Sequence, residues 1–203
     1  MSRTRILLLL LFAVQAFFVK SQSNSYDLWH IGTLYLTTGD SLKGLLKYGS
    51  EKEMVQMKAG GKEFAFNYAQ IDSFWIIDIT DSTRRDFNIY SYTNLEGFDV
   101  PLPFEDLVSN PKFQILVREI VRYENAATFV NQGFMPTRDV EYQYYYMQGG
   151  QLLFFNNSKR DVMEIVGDKG NEIMEYMKGN KLHFSKKKDL KLIFEYYYKL
   201  LSS

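Results

Sequence analysis

Polar and apolar positions alternate with a period of two along most of the chain, then switch to a helical period near its end. Leu42, Gly44, Leu46 and Tyr48 alternate with Lys43, Leu45 and Lys47, which marks a strand with one face buried. An extended apolar stretch at 28–37 and the turn Thr38-Gly39-Asp40-Ser41 precede it. Gly60-Gly61 separates Met54 to Ala59 from a second alternating run of Phe64, Phe66 and Tyr68. Paired glycines reach the positive φ angles of two-residue hairpins, so this is the clearest turn signal. Further strands are expected at Ile71 to Ile77 and Asp86 to Tyr92, either side of the polar turn Thr80 to Thr83. Pro101, Pro103 and Pro111 predict a long irregular connection over 94–112, because proline removes a ladder donor. Strands at Phe113 to Arg118 and Ile120 to Glu124, a loop over 126–139, and a hairpin around Gly149-Gly150 complete the β-rich part.

After Asn156 the spacing changes. Ser158 is placed to cap a helix carrying Val162, Ile165 and Val166, with Asp161 in the first turn, where a negative charge meets the positive end of the helix dipole. Ile173, Met174 and Met177 predict a second short helix. Leu190, Ile193, Phe194, Tyr197, Leu200 and Leu201 share one face of a third, with Ser185 as its expected N-cap. Strands first and helices last predict an α+β fold. The expectation is an antiparallel meander or barrel-like sheet of about eight or nine strands, followed by two or three C-terminal helices. Residues 22–156 form its β-rich part and 157–203 its helical part, within one domain.

The amino end reads differently. Arg3 and Arg5 precede the apolar run Ile6 to Val19, followed by Lys20 and Ser21. This is the pattern of a secretory signal peptide over residues 1–21, and it is too short for a spanning helix. Removing it takes three basic residues and no acid, leaving 21 basic against 24 acidic residues, a formal charge of about −3. That balance argues against a nucleic-acid binder, which needs a basic surface. The absence of cysteine from the sequence excludes disulfides, thiolate catalysis, cysteine-held metals and anchoring through a lipidated cysteine. The expectation is a periplasmic or secreted protein that does not cross the membrane and is held by its core. The 15 Tyr and 16 Phe suit a sheet core.

The run Gly32-Thr-Leu-Tyr-Leu-Thr-Thr-Gly-Asp-Ser-Leu-Lys-Gly44 resembles the opening of a group of exported proteins from Gram-negative bacteria. Tyr68 to Phe74, the paired strands at Phe113 to Tyr123, Tyr144 to Phe155 and the closing Lys188 to Leu200 helix are similar as well. The resemblance spans most of the chain after the leader. The group has no established activity, so it implies no catalytic or binding residue here.

Candidate chemistry is sparse. His30 and His183 are the two histidines, far apart in sequence. His30 beside Trp29 and Ile31 reads as a buried, satisfied imidazole, and His183 as solvated. No serine sits in a Gly-x-Ser-x-Gly elbow, and the glycine pairs are hairpin turns rather than phosphate loops. Asp78, Asp81 and Asp86 are spaced closely enough to ask whether they hold calcium, but Arg84 and Arg85 intrude and a polar turn explains them better. Tyr142, Tyr144 and Tyr146 fall on one side of a strand, with Tyr145 on the other, and Tyr196 to Tyr198 are available to cover them. The charge asymmetry lies at the end: seven lysines from Lys178 to Lys199 against Asp189 and Glu195. Lys181, Lys186, Lys187, Lys188 and Lys191 form the expected interaction patch, for an envelope protein or an anionic surface polymer. No catalytic residue, cofactor or metal is assigned. The expected function is a non-enzymatic, envelope-associated binding module. The alternatives are a carboxylate-dependent hydrolase of glycan or peptide, and a small barrel holding an apolar ligand.

Overall fold

The computed structural model describes Ser25 and residues 28–49, 53–94, 96–123 and 138–202. The expected leader over 1–21, and the expected loop over 126–139 as far as residue 137, lie outside the described residues. Ten antiparallel strands form one open sheet: β1 (His30–Leu36), β2 (Ser41–Gly49), β3 (Met54–Ala59), β4 (Lys62–Asn67), β5 (Ile71–Ile77), β6 (Arg84–Thr93), β7 (Asp99–Ser109), β8 (Gln114–Tyr123), β9 (Arg138–Gln148) and β10 (Gln151–Phe155). Helices α1 (Lys159–Val166), α2 (Gly170–Asn180) and α3 (Lys187–Ser202) follow. The α+β class holds. The strand count is ten rather than eight or nine, and neither a plain meander nor a closed barrel describes the sheet.

Its spatial order is β10-β9-β8-β7-β6-β5-β1-β2-β3-β4. Two meanders therefore meet where β1 pairs with β5, and β4 and β10 stand at the edges. Laid flat, β4 and β5 would be four strand spacings apart, about 19 Å. The chain joins Asn67 to Ile71 through the single 3-10 turn Tyr68–Gln70, which spans at most about 14 Å. The sheet must curl over to close that gap. A capping box at the turn, with Asn67 Oδ1 accepting from the Gln70 N–H and Gln70 Oε1 from the Asn67 N–H, fixes the bend. Gly32 and Gly44 face each other across β1 and β2. A Cβ on Gly32 would fall on the Trp75 carbonyl oxygen, and one on Gly44 on that of Lys58. Only glycine admits strands this close.

The hairpin turns are those the sequence predicts. Gly60 and Gly61 take φ of 56° and 76°, and Gly149 and Gly150 take 57° and 80°, the two positive values of a type I′ turn. The stretch 94–112 departs from expectation, because most of it is the strand β7. Pro101 and Pro103 pair with Ser91 and Ile89 of β6, whereas β8 joins β7 only from Glu105 onward. The prolines thus occupy a half-strand with one free side, where a missing N–H breaks no ladder. The two strands expected over 113–124 are a single strand, β8.

Two cores result. Leu34, Leu46, Phe74, Ile76, Phe87 and Phe104 belong to the first. Val162 of α1, Ile173 of α2, and Leu190, Ile193 and Phe194 of α3 pack on Ile115, Val117 and Tyr144. Strands β8 and β9 are consequently buried on both faces, since Leu116 and Tyr145 belong to the first core. The tyrosine alternation behaves as expected: Tyr144 and Tyr146 face the helices, and Tyr196, Tyr197 and Tyr198 cover them. Ser158 caps α1 through the Asp161 N–H. Helix α3 begins at Lys187, and the Asp189 carboxylate at its start accepts from the His183 N–H at 2.9 Å.

Candidate functional site

A charged strand residue normally faces water. Arg85 shares a side of β6 with Phe87 and Ile89 and is 7% exposed, so its charge must be met from within. Its guanidinium reaches Glu105 of β7 at 2.5 Å, Glu119 of β8 at 2.5 Å and Asp78, just after β5, at 3.3 Å. Nη1 also donates to the Tyr48 hydroxyl of β2 at 2.5 Å, and Tyr48 donates to Glu119 at 3.0 Å. Strands β2 and β8 are five places apart, about 24 Å in a flat sheet. The curl alone lets these side chains meet. Rings of Phe87 and Tyr48 lie 5.0 and 5.5 Å from the guanidinium carbon, and Phe87 stacks on Phe74 at 4.6 Å.

Burial alone would push Glu105 towards its neutral form. The Arg85 and Lys187 charges outweigh it and hold the carboxyl below its usual range. Burial also opposes ionisation of Asp78, but hydrogen bonds from Ser25 and Thr80, with the Arg85 charge, bring it down to about 2. Burial and the Glu119 charge push the Tyr48 hydroxyl well above its ordinary value, so it stays protonated. His30 is buried beside the network: its Nδ1 accepts from the Ile79 N–H at 3.2 Å, which leaves Nε2 to donate to the Ser25 carbonyl at 2.6 Å. This is the satisfied imidazole expected from its place in a strand.

The network floors a cleft of about 780 Å³ between the sheet and the start of α3. A second lobe of about 720 Å³ shares Asp86 and Asp106 with it. Arg84, Asp86, Asp106, Leu107 and Lys191 border both lobes. Asp86 and Asp106 lie on β6 and β7 one step beyond the Phe87–Glu105 pair, which puts two like charges opposite each other across the strands. Arg84 neutralises Asp86 through a two-pronged contact at 2.6–3.1 Å. Among the described residues Asp106 is met by Asn88 alone, at 2.8 Å. Burial, then the Asp86 and Glu105 charges, lift its carboxyl to about 6.

Four of the five lysines of the expected patch border the first lobe, and they play different parts. Lys187 turns inward to Glu105 at 2.5 Å and lies 5.0 Å from the Tyr142 ring, while Lys188 pairs with Asp81 at 3.1 Å. Lys186 and Lys191 border the lobe. Neither has a carboxylate partner among the described residues. Lys181 is elsewhere, beside a hollow formed by Met174, Met177, Leu182 and Phe184. Asp78, Asp81 and Asp86 do not converge, for each is turned to its own partners. Among the described residues no group of three or more His, Asp or Glu is placed to hold a metal ion. No helix among them is long and apolar enough to cross a membrane.

Sequence reasoning missed Arg85, Glu105, Glu119 and Tyr48 as one unit. The period-two run Arg85, Phe87, Ile89 was the available signal, because it sets a guanidinium on an apolar face. Comparison with protein-family models, with characterised proteins and with solved structures finds no match to this chain.

Proposed function

We propose that the protein is an exported, envelope-associated binding module that holds an anionic polymer in the cleft between its sheet and α3. One observation carries the reading: Asp78, Asp81, Asp86 and Glu105 of the cleft are engaged by Arg85, Arg84, Lys187 and Lys188, while Lys186 and Lys191 at the same cleft have no acid partner among the described residues. With those ion pairs already made, Lys186 and Lys191 offer two uncommitted ammonium groups at the cleft without rearranging, and preorganisation favours binding. Glu105 and Glu119 both contact Arg85 Nη2 at 2.5 Å, so the two oxygens lie within about 5 Å, a spacing used by retaining glycosidases. The guanidinium between them holds Glu105 as a carboxylate rather than a proton-donating acid, which favours binding over catalysis. The leader over 1–21 supports export, and membership of the exported group that the Gly32–Gly44 hairpin resembles belongs to the same proposal.

Titration with poly-L-glutamate and with an alginate-derived uronate oligomer tests it. Binding at low salt is expected, weakened at 0.5 M salt by screening and by Lys186→Ala combined with Lys191→Ala. Failure of both polyanions to bind, or indifference to the lysine variants, refutes the reading. One observation favours a second reading, a hydrolase: Asp106, lifted to about 6 beside the ion-paired Asp86, resembles an acid next to a carboxylate. Release of new reducing ends from an oligosaccharide, abolished by Asp106→Asn, would establish that alternative.

A further inference from the structure

The lobe of about 720 Å³ differs in chemistry from the lysine-rich one. Tyr35 and Trp75 reach it from the sheet and Tyr198 from α3, so aromatic side chains border it from two sides. Buried polar groups in folded proteins are almost always hydrogen-bonded, and an exception calls for a missing partner. Among the described residues two buried side-chain atoms have no partner, Asp106 Oδ1 and Asn110 Nδ2. Both residues border this lobe, with the two atoms themselves covered, so a partner reaches them once the side chains over them shift. Neither orphan is an accident of a loose side chain. Asp106 Oδ2 is held by Asn88 at 2.8 Å, and Asn110 Oδ1 accepts from the backbone N–H groups of Lys112 and Phe113 at 2.9 and 3.0 Å. Each side chain is anchored by one half, with the other half left over.

The two orphans are complementary in kind, one a carboxylate oxygen and the other an amide N–H. A hydroxyl group both donates and accepts, so one chemical class answers both. They sit four residues apart along the end of β7 and the turn after it. At a rise of about 3.3 Å per residue, and with a bulge on the way, their Cα atoms are at most roughly 13 Å apart. Sugar rings offer hydroxyls along such a length and apolar faces to aromatic walls. Lys191, common to both lobes, is placed for an acidic substituent on the same chain. Resting on the binding reading above, we infer that the lobe bordered by Tyr35, Trp75, Tyr198, Asp106 and Asn110 takes the sugar units of an acidic oligosaccharide.

Three probes separate this inference from the reading it rests on: an alginate-derived uronate hexamer, a neutral mannose hexamer and poly-L-glutamate, each titrated into the full protein by calorimetry. The uronate hexamer is expected to bind at least tenfold tighter than poly-L-glutamate of equal charge, with measurable binding of the neutral hexamer. Asp106→Ala should weaken the uronate hexamer tenfold or more, whereas poly-L-glutamate, relieved of a like charge at the cleft, should bind no more weakly than before. Tyr35→Ala removes a ring that is 40% exposed. It should weaken both sugars and carries the test if Asp106→Ala fails to fold by circular dichroism. Equal binding of uronate and poly-L-glutamate, insensitive to both variants, overturns the inference and leaves the polyanion reading standing. In that case ordered water meets the orphans. If no probe binds, both fall.

Discussion

Replacing Arg85 by methionine keeps length and apolar stem but removes the one cation shared by Asp78, Glu105 and Glu119. The side chains of Arg85, Asp78, Glu105 and Glu119 are all 6–9% exposed, so water cannot take its place. Removing one partner of a buried pair costs about 3–5 kcal/mol, because the other charge stays behind. Lys187 remains on Glu105 and limits the loss there, whereas among the described residues Glu119 keeps only the Tyr48 hydroxyl. A loss of about 3–5 kcal/mol at neutral pH is therefore expected, a large part of the roughly 5–15 kcal/mol of a typical domain. For a domain of this size it lowers Tm by about 6–20 °C. Urea unfolding followed by fluorescence of Trp29 and Trp75 measures it. The pH dependence supplies a second check. Glu105 and Asp78 are held below their ordinary values in the folded protein, so their contribution is present above about pH 4 and is lost as pH falls. The deficit of Arg85→Met should accordingly be full at pH 7 and shrink below pH 4. A loss under about 1 kcal/mol at pH 7, or a deficit indifferent to pH, would refute the view of this cluster as an electrostatic clasp.

Two further outcomes follow from other parts of the molecule. Gly32→Ala should destabilise by about 1–3 kcal/mol or more in the same urea assay, since its Cβ meets the rigid Trp75 carbonyl and cannot be relieved by a side-chain turn; a neutral result would mean the strands are free to part. Asp106 is raised to about 6, so the folded state holds its proton more tightly than the unfolded chain, and stability drops as pH rises from about 4 to 6. Asp106→Asn should flatten that slope and stabilise the protein at pH 7, measured as urea midpoints at pH 4.5 and 7.5; an unchanged slope would sink the assignment.

Local signals carried far along this chain. The glycine pairs at 60–61 and 149–150, the burial of Val162, Ile173, Met177, Leu190, Ile193 and Phe194, and the two-sided tyrosines of β9 are all set by period and turn chemistry. Strand β7 was hidden because the rule against proline presumes neighbours on both sides, and no local pattern says that β8 pairs only half of it. The Arg85 cluster was hidden for another reason. Its partners Tyr48, Glu105 and Glu119 lie 37, 20 and 34 residues away in sequence, and only the curl of the sheet makes them neighbours. Two facing meanders of unknown closure give no hint of which acid meets which base.

The junction of β1 with β5 has a consequence for how the molecule assembles. Hairpins among the first four strands need only nearby residues, but Ile31 finds its second partner, Ile77, 46 positions later. Until that distant segment arrives, β1 offers one row of bare amides to any passing chain, and such long-range pairing is slow. The short Tyr68–Gln70 turn shortens this vulnerable interval by delivering β5 to the gap as soon as β4 is laid down.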